Sequence, residues 1–324
     1  MKERFIKNRA ILIPVFAICL SVALFFFVSS FSNEDDLEIE VSEEKTKEYP
    51  EYIGEKDLDA DINARAAISY YFDKDGNERN LYEMNIEERL PIASISKLMS
   101  AVIVLKYYDL DEEVGISEND ILTHSEFRDF RAWEETKVLE MLYPMIIESN
   151  NSAAFALAMI SDRFLKSSDE NRGVELFVEM MNREAEEMGM NNTQFINASG
   201  LDTVSDYNYS TASDLAIFAK NIILDNDDIF EISMHRSYNL YSPDKTIYYE
   251  SFNTNQFLHN NKNDWQDYII GGKTGFTLAS KGCLIIVLSS PEKDGYIVNV
   301  VLGTEDRFKE MEKLINYTYK AYSF

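Results

Sequence analysis

The sequence predicts an α+β domain: an antiparallel sheet flanked by helices, built from both ends of the globular part, with a helical insert between them. Three observations predict it. A hairpin pattern follows residue 59, helical periodicities fill the middle, and three strand patterns joined by tight connections lie near the end. The chain has 324 residues and 45% apolar content, enough for a sizeable core.

The elements follow in order. AAISYYFDKDGNERNLYEM gives two strands around an Asp75-Gly76 turn. SISKLMSAVIVLKYY reads as a helix that is apolar nearly all round from Leu98 to Leu105, which marks it as buried. KVLEMLYPMIIE and AAFALAMISDRFL read as two helices joined by the turn SNNS. ELFVEMMNREAEEMGM reads as another helix, stopped by Asn191 and Asn192. IIGGKTGFT, KGCLIIVLSS and GYIVNVVLG read as three antiparallel strands. TEDRFKEMEKLINYTYKAY closes as an amphipathic helix with Phe308, Met311 and Ile315 on one side. No internal repeat is visible.

Ahead of residue 59 the composition changes twice. MKERFIKNR carries four basic residues, and residues 10–31 follow without a charge. Twenty-two residues at helical rise can cross a bilayer, and the basic flank holds the N-terminus in the cytoplasm. Residues 1–31 are therefore expected to be an uncleaved membrane anchor, with a cleaved signal segment as the competing reading. Residues 33–58 hold eleven acids and three lysines, so 32–58 is expected to be a solvated acidic spacer, with LEIEV as a possible short strand. Residues 59–324 are the globular domain, expected on the extracytoplasmic side.

Lys plus Arg total 31 against 57 Asp plus Glu, a formal charge of −26, and such a surface repels phosphate backbones. Nucleic acid is excluded as a partner. The two cysteines, Cys19 in the apolar run and Cys283 in a strand, are not placed to pair. With no Cys/His cluster, neither zinc nor another metal is expected, and Cys283 reads as a small buried apolar residue.

Chemistry starts at PIASISKLMSA. Ser-x-x-Lys occurs four times, at Ser42, Ser94, Ser242 and Ser290, but only Ser94 has a setting that alters reactivity. Ser42 lies in the spacer, and SPDK and SPEK read as surface proline turns. Ser94 follows Pro91 at a helix start, where free N–H groups favour negative charge. Lys97 lies one turn on, at the edge of apolar surface, where desolvation disfavours its charge and lets it take a proton from Ser94. An isolated Ser-x-x-Lys is more often a capping serine beside a lysine that snorkels to water. Its companions decide otherwise. Ser149-Asn150-Asn151 lies on the turn between two helices, 55 residues after Ser94, and Lys273-Thr274-Gly275, the one Lys-Thr-Gly in the chain, begins a strand. Ser-x-x-Lys, Ser-x-Asn and Lys-Thr-Gly in this order are the signature of serine penicillin-recognising enzymes.

The chain resembles the D-alanyl-D-alanine carboxypeptidases among the low-molecular-mass penicillin-binding proteins. Beyond the three motifs, LPIASISKLMSA, MMNREAEEMGMNNTQFINASGLD, STASDLAIFAKNII, NTNQFL and GGKTGFT carry the likeness, which covers about residues 62–322. It implies the β-lactamase/transpeptidase-like fold, no cofactor, a peptidoglycan stem peptide ending in D-Ala-D-Ala as substrate, and β-lactams as covalent inhibitors. By the same resemblance Ser94 is the nucleophile, Lys97 its base and Ser149 the proton donor to the leaving amine. Asn151 orients the substrate amide, Lys273 and Thr274 bind its terminal carboxylate, and Gly275 and Phe276 continue that strand, the N–H groups of Ser94 and Phe276 forming the oxyanion hole. Two departures stand out: Asn150 where glycine is common, and Ser152 where Asp often follows. His124, His235 and His259 lie outside every motif.

Three alternatives share parts of this pattern. A class A β-lactamase has the same motifs but needs an additional Glu, and no convincing Glu-x-x-Leu-Asn lies between Asn151 and Lys273. A D,D-endopeptidase acting on cross-links uses the same side chains. A non-catalytic penicillin- or wall-binding protein would not need all of them.

Overall fold

The computed structural model describes residues 50–55, 59–116, 133–165, 172–203, 206–241, 245–259, 263–291 and 295–324. The expected anchor, most of the expected spacer with LEIEV, and His124 lie outside the described residues. Among the described residues no helix is long and apolar enough to cross a membrane.

Five strands build the central sheet: β1 (Ala66–Asp73), β2 (Glu78–Met84), β3 (Ile269–Thr277), β4 (Lys281–Ser289) and β5 (Gly295–Thr304). Their spatial order is β3-β4-β5-β1-β2, every neighbour antiparallel. The two ends of the domain therefore meet at β5 and β1, where Gly295 pairs with Asp73 and Leu302 with Ala66.

The two-residue period of β4 divides the core between the sheet faces. Leu284, Ile286 and Leu288 pack with Met311, Leu314 and Ile315 of the closing helix, Arg307–Ala321. Burying each such side chain is worth roughly 2 kcal/mol. Cys283, Ile285 and Val287 face the opposite way, into the helical cluster. That cluster holds α1 (Lys97–Tyr107), α2 (Asn151–Met159), α3 (Gly173–Glu187) and α4 (Ala212–Asp225). Lys97 to Val104 are all buried, as the all-round apolar pattern of α1 predicts.

Three local features differ from the sequence expectation. The helix Val138–Tyr143 does not run on unchanged: from Pro144 to Glu148 it widens to π geometry. Proline lacks an N–H and crowds the preceding turn, and the Ser149 and Asn150 N–H groups both donate to the Pro144 carbonyl. Helix α3 stops earlier than Asn191, because Gly189 takes φ +82° just past the C-cap Met188. The globular unit also takes in chain ahead of residue 59. Glu51–Tyr52 pairs with Tyr322–Ser323, and Arg79 Nη1 donates to the Pro50 carbonyl at 2.8 Å.

Candidate active site

Ser94 lies in a 3₁₀ turn, Ala93–Ser96, that leads directly into α1. Its approach is fixed from both sides. The short strand Leu90–Pro91 pairs with Tyr209–Ser210, and Ala93 takes φ +48°, uncommon for a residue with a Cβ. Two glycines press against the peptide between Ala93 and Ser94. A Cβ on Gly200 would lie 1.9 Å from the Ala93 carbonyl oxygen, and one on Gly275 would lie 3.3 Å from the Ser94 nitrogen. The strand carrying Lys-Thr-Gly thus abuts the backbone of Ser94.

Lys97 opens α1 with no exposed surface. Its Nζ lies 3.0 Å from Ser94 Oγ, donates to Asn151 Oδ1 at 2.8 Å, and contacts the Ser199 carbonyl. The two carbonyl-type oxygens can only accept, while the hydroxyl can donate. This set matches a neutral amine, which has two N–H bonds and one lone pair. Burial, aided by the charge of Lys273, holds Lys97 well below the ordinary lysine range.

Ser149 ends the wide turn at φ +69°, and its Oγ accepts from Lys273 Nζ at 2.8 Å. Asn150 then caps α2: its Oδ1 accepts from the Ala153 N–H at 2.9 Å, and its Nδ2 donates to the Tyr249 hydroxyl at 3.0 Å. An asparagine cap replaces glycine without strain, since its φ is −62°. Ser152 is buried inside the first turn of α2.

On β3, Lys273 is buried and donates also to the Thr274 carbonyl at 3.0 Å. Burial, then the nearby Arg307 guanidinium, brings its pKa down to about 7. Thr274 Oγ1 lies 2.6 Å from Thr254 Oγ1, and Phe276 is exposed at the strand end.

The structure thus brings the predicted residues together as two hydrogen-bonded groups, Lys97 with Ser94 and Asn151, and Lys273 with Ser149, with the Lys273 charge acting on Lys97. Asn151 is engaged by Lys97 through Oδ1, a contact the sequence did not foretell. Also unforeseen were the Ser199 carbonyl and Gly200, within NASGLD, and Thr254, within NTNQFL. His235 stacks edge-on against Tyr143, and His259 Nε2 meets the Asn253 carbonyl at 3.0 Å. Ser290 is buried and its Oγ accepts from the Gly295 N–H at 3.1 Å, while Glu292 and Lys293 of SPEK lie outside the described residues.

The sequence profile of the D-alanyl-D-alanine carboxypeptidases matches residues 54–306. The chain belongs to the D-alanyl-D-alanine carboxypeptidase family. It is 28% identical over 250 residues to the D-alanyl-D-alanine carboxypeptidase DacF of Bacillus subtilis, covering 75% of this chain and 59% of that protein. It is 33% identical over 204 residues to a D-alanyl-D-alanine endopeptidase of Escherichia coli, covering 60% of this chain and 58% of that protein. The chain thus spans about six tenths of the length of these family relatives. Among solved structures, the ampicillin-bound penicillin-binding protein D2 of Listeria monocytogenes superposes with TM-score 0.61 at 26% identity, covering 82% of this chain and all of that one. The carboxypeptidase family fold expected from the sequence, the transpeptidase-like α+β fold, is the fold observed.

Proposed function

We propose that this protein is an exported serine-type D-Ala-D-Ala carboxypeptidase that trims peptidoglycan stem peptides through an acyl-enzyme on Ser94, and that β-lactams acylate the same serine. One observation carries the reading: a fully buried lysine amine 3.0 Å from a serine hydroxyl, its remaining contacts all to acceptors. Neutral Lys97 takes the Ser94 proton as Oγ attacks the carbonyl between the two D-alanines. The Ser94 N–H and the end of β3 at Phe276 stabilise the oxyanion. Ser149, held by Lys273, passes a proton to the departing amine and is reprotonated at the expense of the Lys97 ammonium, which returns to the neutral amine. Lys273 and Thr274 draw the substrate's terminal carboxylate, and water then releases the shortened peptide. Residues 10–31 would hold the enzyme at the outer face of the membrane.

Ser94→Ala tests the assignment. Fluorescent penicillin should no longer form a covalent adduct, and persistent labelling at another residue overturns it. Incubation with diacyl-L-lysyl-D-alanyl-D-alanine should release D-alanine, whereas a binding module releases none. The penicilloyl adduct should hydrolyse slowly; rapid turnover would favour a β-lactamase. Endopeptidase action on cross-links is the second reading, favoured by the 33% identity to an E. coli protein of that name. Mass analysis of digested cross-linked muropeptides separates the two.

A further inference from the structure

The segment NTNQFL has no part in the chemistry above, yet it is built with care. Asn253 Nδ2 donates to the carbonyls of Ser233 and His235 at 2.7 and 2.8 Å, and its Oδ1 accepts from the Asn255 N–H at 2.8 Å. Asn255 Oδ1 accepts in turn from the Phe257 N–H at 3.1 Å. These contacts fix the backbone on both sides of Thr254.

Thr254 joins two motifs that are far apart in sequence. Its N–H donates to the Ile147 carbonyl at 2.9 Å, and its Oγ1 lies 3.2 Å from the same oxygen and 2.6 Å from Thr274 Oγ1. Ile147 is two residues ahead of Ser149, and Ser149 is bound to Lys273, the neighbour of Thr274. A ring closes: Ile147, Ser149, Lys273, Thr274, Thr254 and back to Ile147.

We infer that Thr254 is a positioning residue that sets the proton of the Thr274 hydroxyl according to whether a carboxylate is bound. The inference rests on the proposed role of Thr274 as a carboxylate donor. Each hydroxyl has one proton. With the site empty, Thr254 Oγ1–H points at the Ile147 carbonyl, so Thr274 donates to Thr254. A bound carboxylate takes the Thr274 proton. Thr254 then turns its own proton onto Thr274 Oγ1, and the Ile147 oxygen keeps the Thr254 N–H. No group is left unpaired in either state, and the donor chain Thr254 to Thr274 to carboxylate polarises the last bond.

Thr254→Val keeps the shape and the N–H but removes the switch. The second-order rate of penicillin acylation should fall about tenfold, and KM for the diacyl tripeptide should rise more than kcat falls. Thr254→Ser should restore most of the rate. In a Thr274→Val background, Thr254→Val should change the rate less than about twofold, because its route to the ligand is gone. Native rates in Thr254→Val, no recovery in Thr254→Ser, or an undiminished loss in the Thr274→Val background each overturn the inference. Should Thr254→Val not melt cooperatively, Thr254→Ala carries the same comparison. If Thr274→Val alone acylates as fast as the native chain, the carboxylate role of Thr274 fails, and with it the basis for the switch.

Discussion

Gly200 offers the sharpest test of how the nucleophile is held. In Gly200→Ala the new Cβ meets the Ala93 carbonyl oxygen at 1.9 Å and the Ser94 nitrogen at 3.0 Å, while the residue itself holds φ +79°. A Cβ in the left-handed region costs about 1–2 kcal/mol. The overlap with the Ala93 oxygen falls short of ordinary contact by about 1.5 Å, and both atoms are backbone, so no rotamer relieves it. Either the 197–201 loop withdraws, taking the Ser199 carbonyl off Lys97, or the Ala93–Ser94 peptide shifts and carries the nucleophile with it. A displacement of about 1 Å at a reacting group costs on the order of 100-fold in rate. The expected result is a fall of about 100-fold in penicillin acylation with a melting midpoint only about 2–8 °C lower. Stopped-flow labelling and a thermal melt read both. Acylation within threefold of the native rate would refute the claim that this packing aims Ser94.

Two further perturbations test the electrostatics and the cap. Lys97 acts as base only when neutral, so kcat/KM should fall as pH drops through its depressed pKa, while Lys273, near 7 in the empty site, loses its pull on a carboxylate as pH rises further. A bell-shaped kcat/KM is expected, with the alkaline limb weaker in kcat because bound carboxylate favours the Lys273 cation; a monotonic rise to pH 10 refutes it. The same shifts have a stability sign. Between about 7 and the ordinary 10.5 the unfolded chain binds the protons that native Lys273 has released, so the melting midpoint should climb with pH, and less so in Lys273→Met. Asn150→Ala removes the cap on α2 and the bond to Tyr249, costing about 1 kcal/mol and about 2–4 °C in melting midpoint, and an unchanged midpoint would show the cap to be idle.

What could be read in advance divides by the kind of signal each feature leaves. The apolar run of β4 and the all-round apolar α1 are statements about side chains, so KGCLIIVLSS read as a strand and LMSAVIVL announced its burial. Ser94, Lys97, Ser149 and Lys273 could be singled out because residue type and order mark them, and the structure pairs Lys97 with Ser94 and Lys273 with Ser149. The Ser199 oxygen could not be singled out, because a backbone carbonyl has no residue signature and lies 102 residues from Lys97. Gly200 and Thr254 sat in quoted segments, but their roles depend on which backbone they face. The helix end at Gly189 was missed because Asn191 and Asn192 also read as stops, and only a positive φ separates them. Pro50 to Tyr52 was hidden by acidic neighbours, although its pairing is through the main chain.

The chain holds 57 acidic residues, yet among the described residues none forms an ion pair with Lys97 or Lys273. Elsewhere a half-exposed lysine, Lys106, meets the buried Glu184 at 2.7 Å, and its pKa rises. The contrast shows what the active site excludes. A carboxylate beside Lys97 would stabilise the ammonium, raise its pKa and remove the lone pair that the proposed mechanism asks of it. Hydroxyl, carboxamide and carbonyl partners orient the amine without fixing its charge; burial lowers the pKa of both lysines, and the cations in series add to it, Arg307 on Lys273 and Lys273 on Lys97. Lys97 and Lys273 are both buried, and Lys97, which also feels the Lys273 charge, is held well below the ordinary lysine range. Lys273 is left near neutrality, where an arriving carboxylate can recharge it.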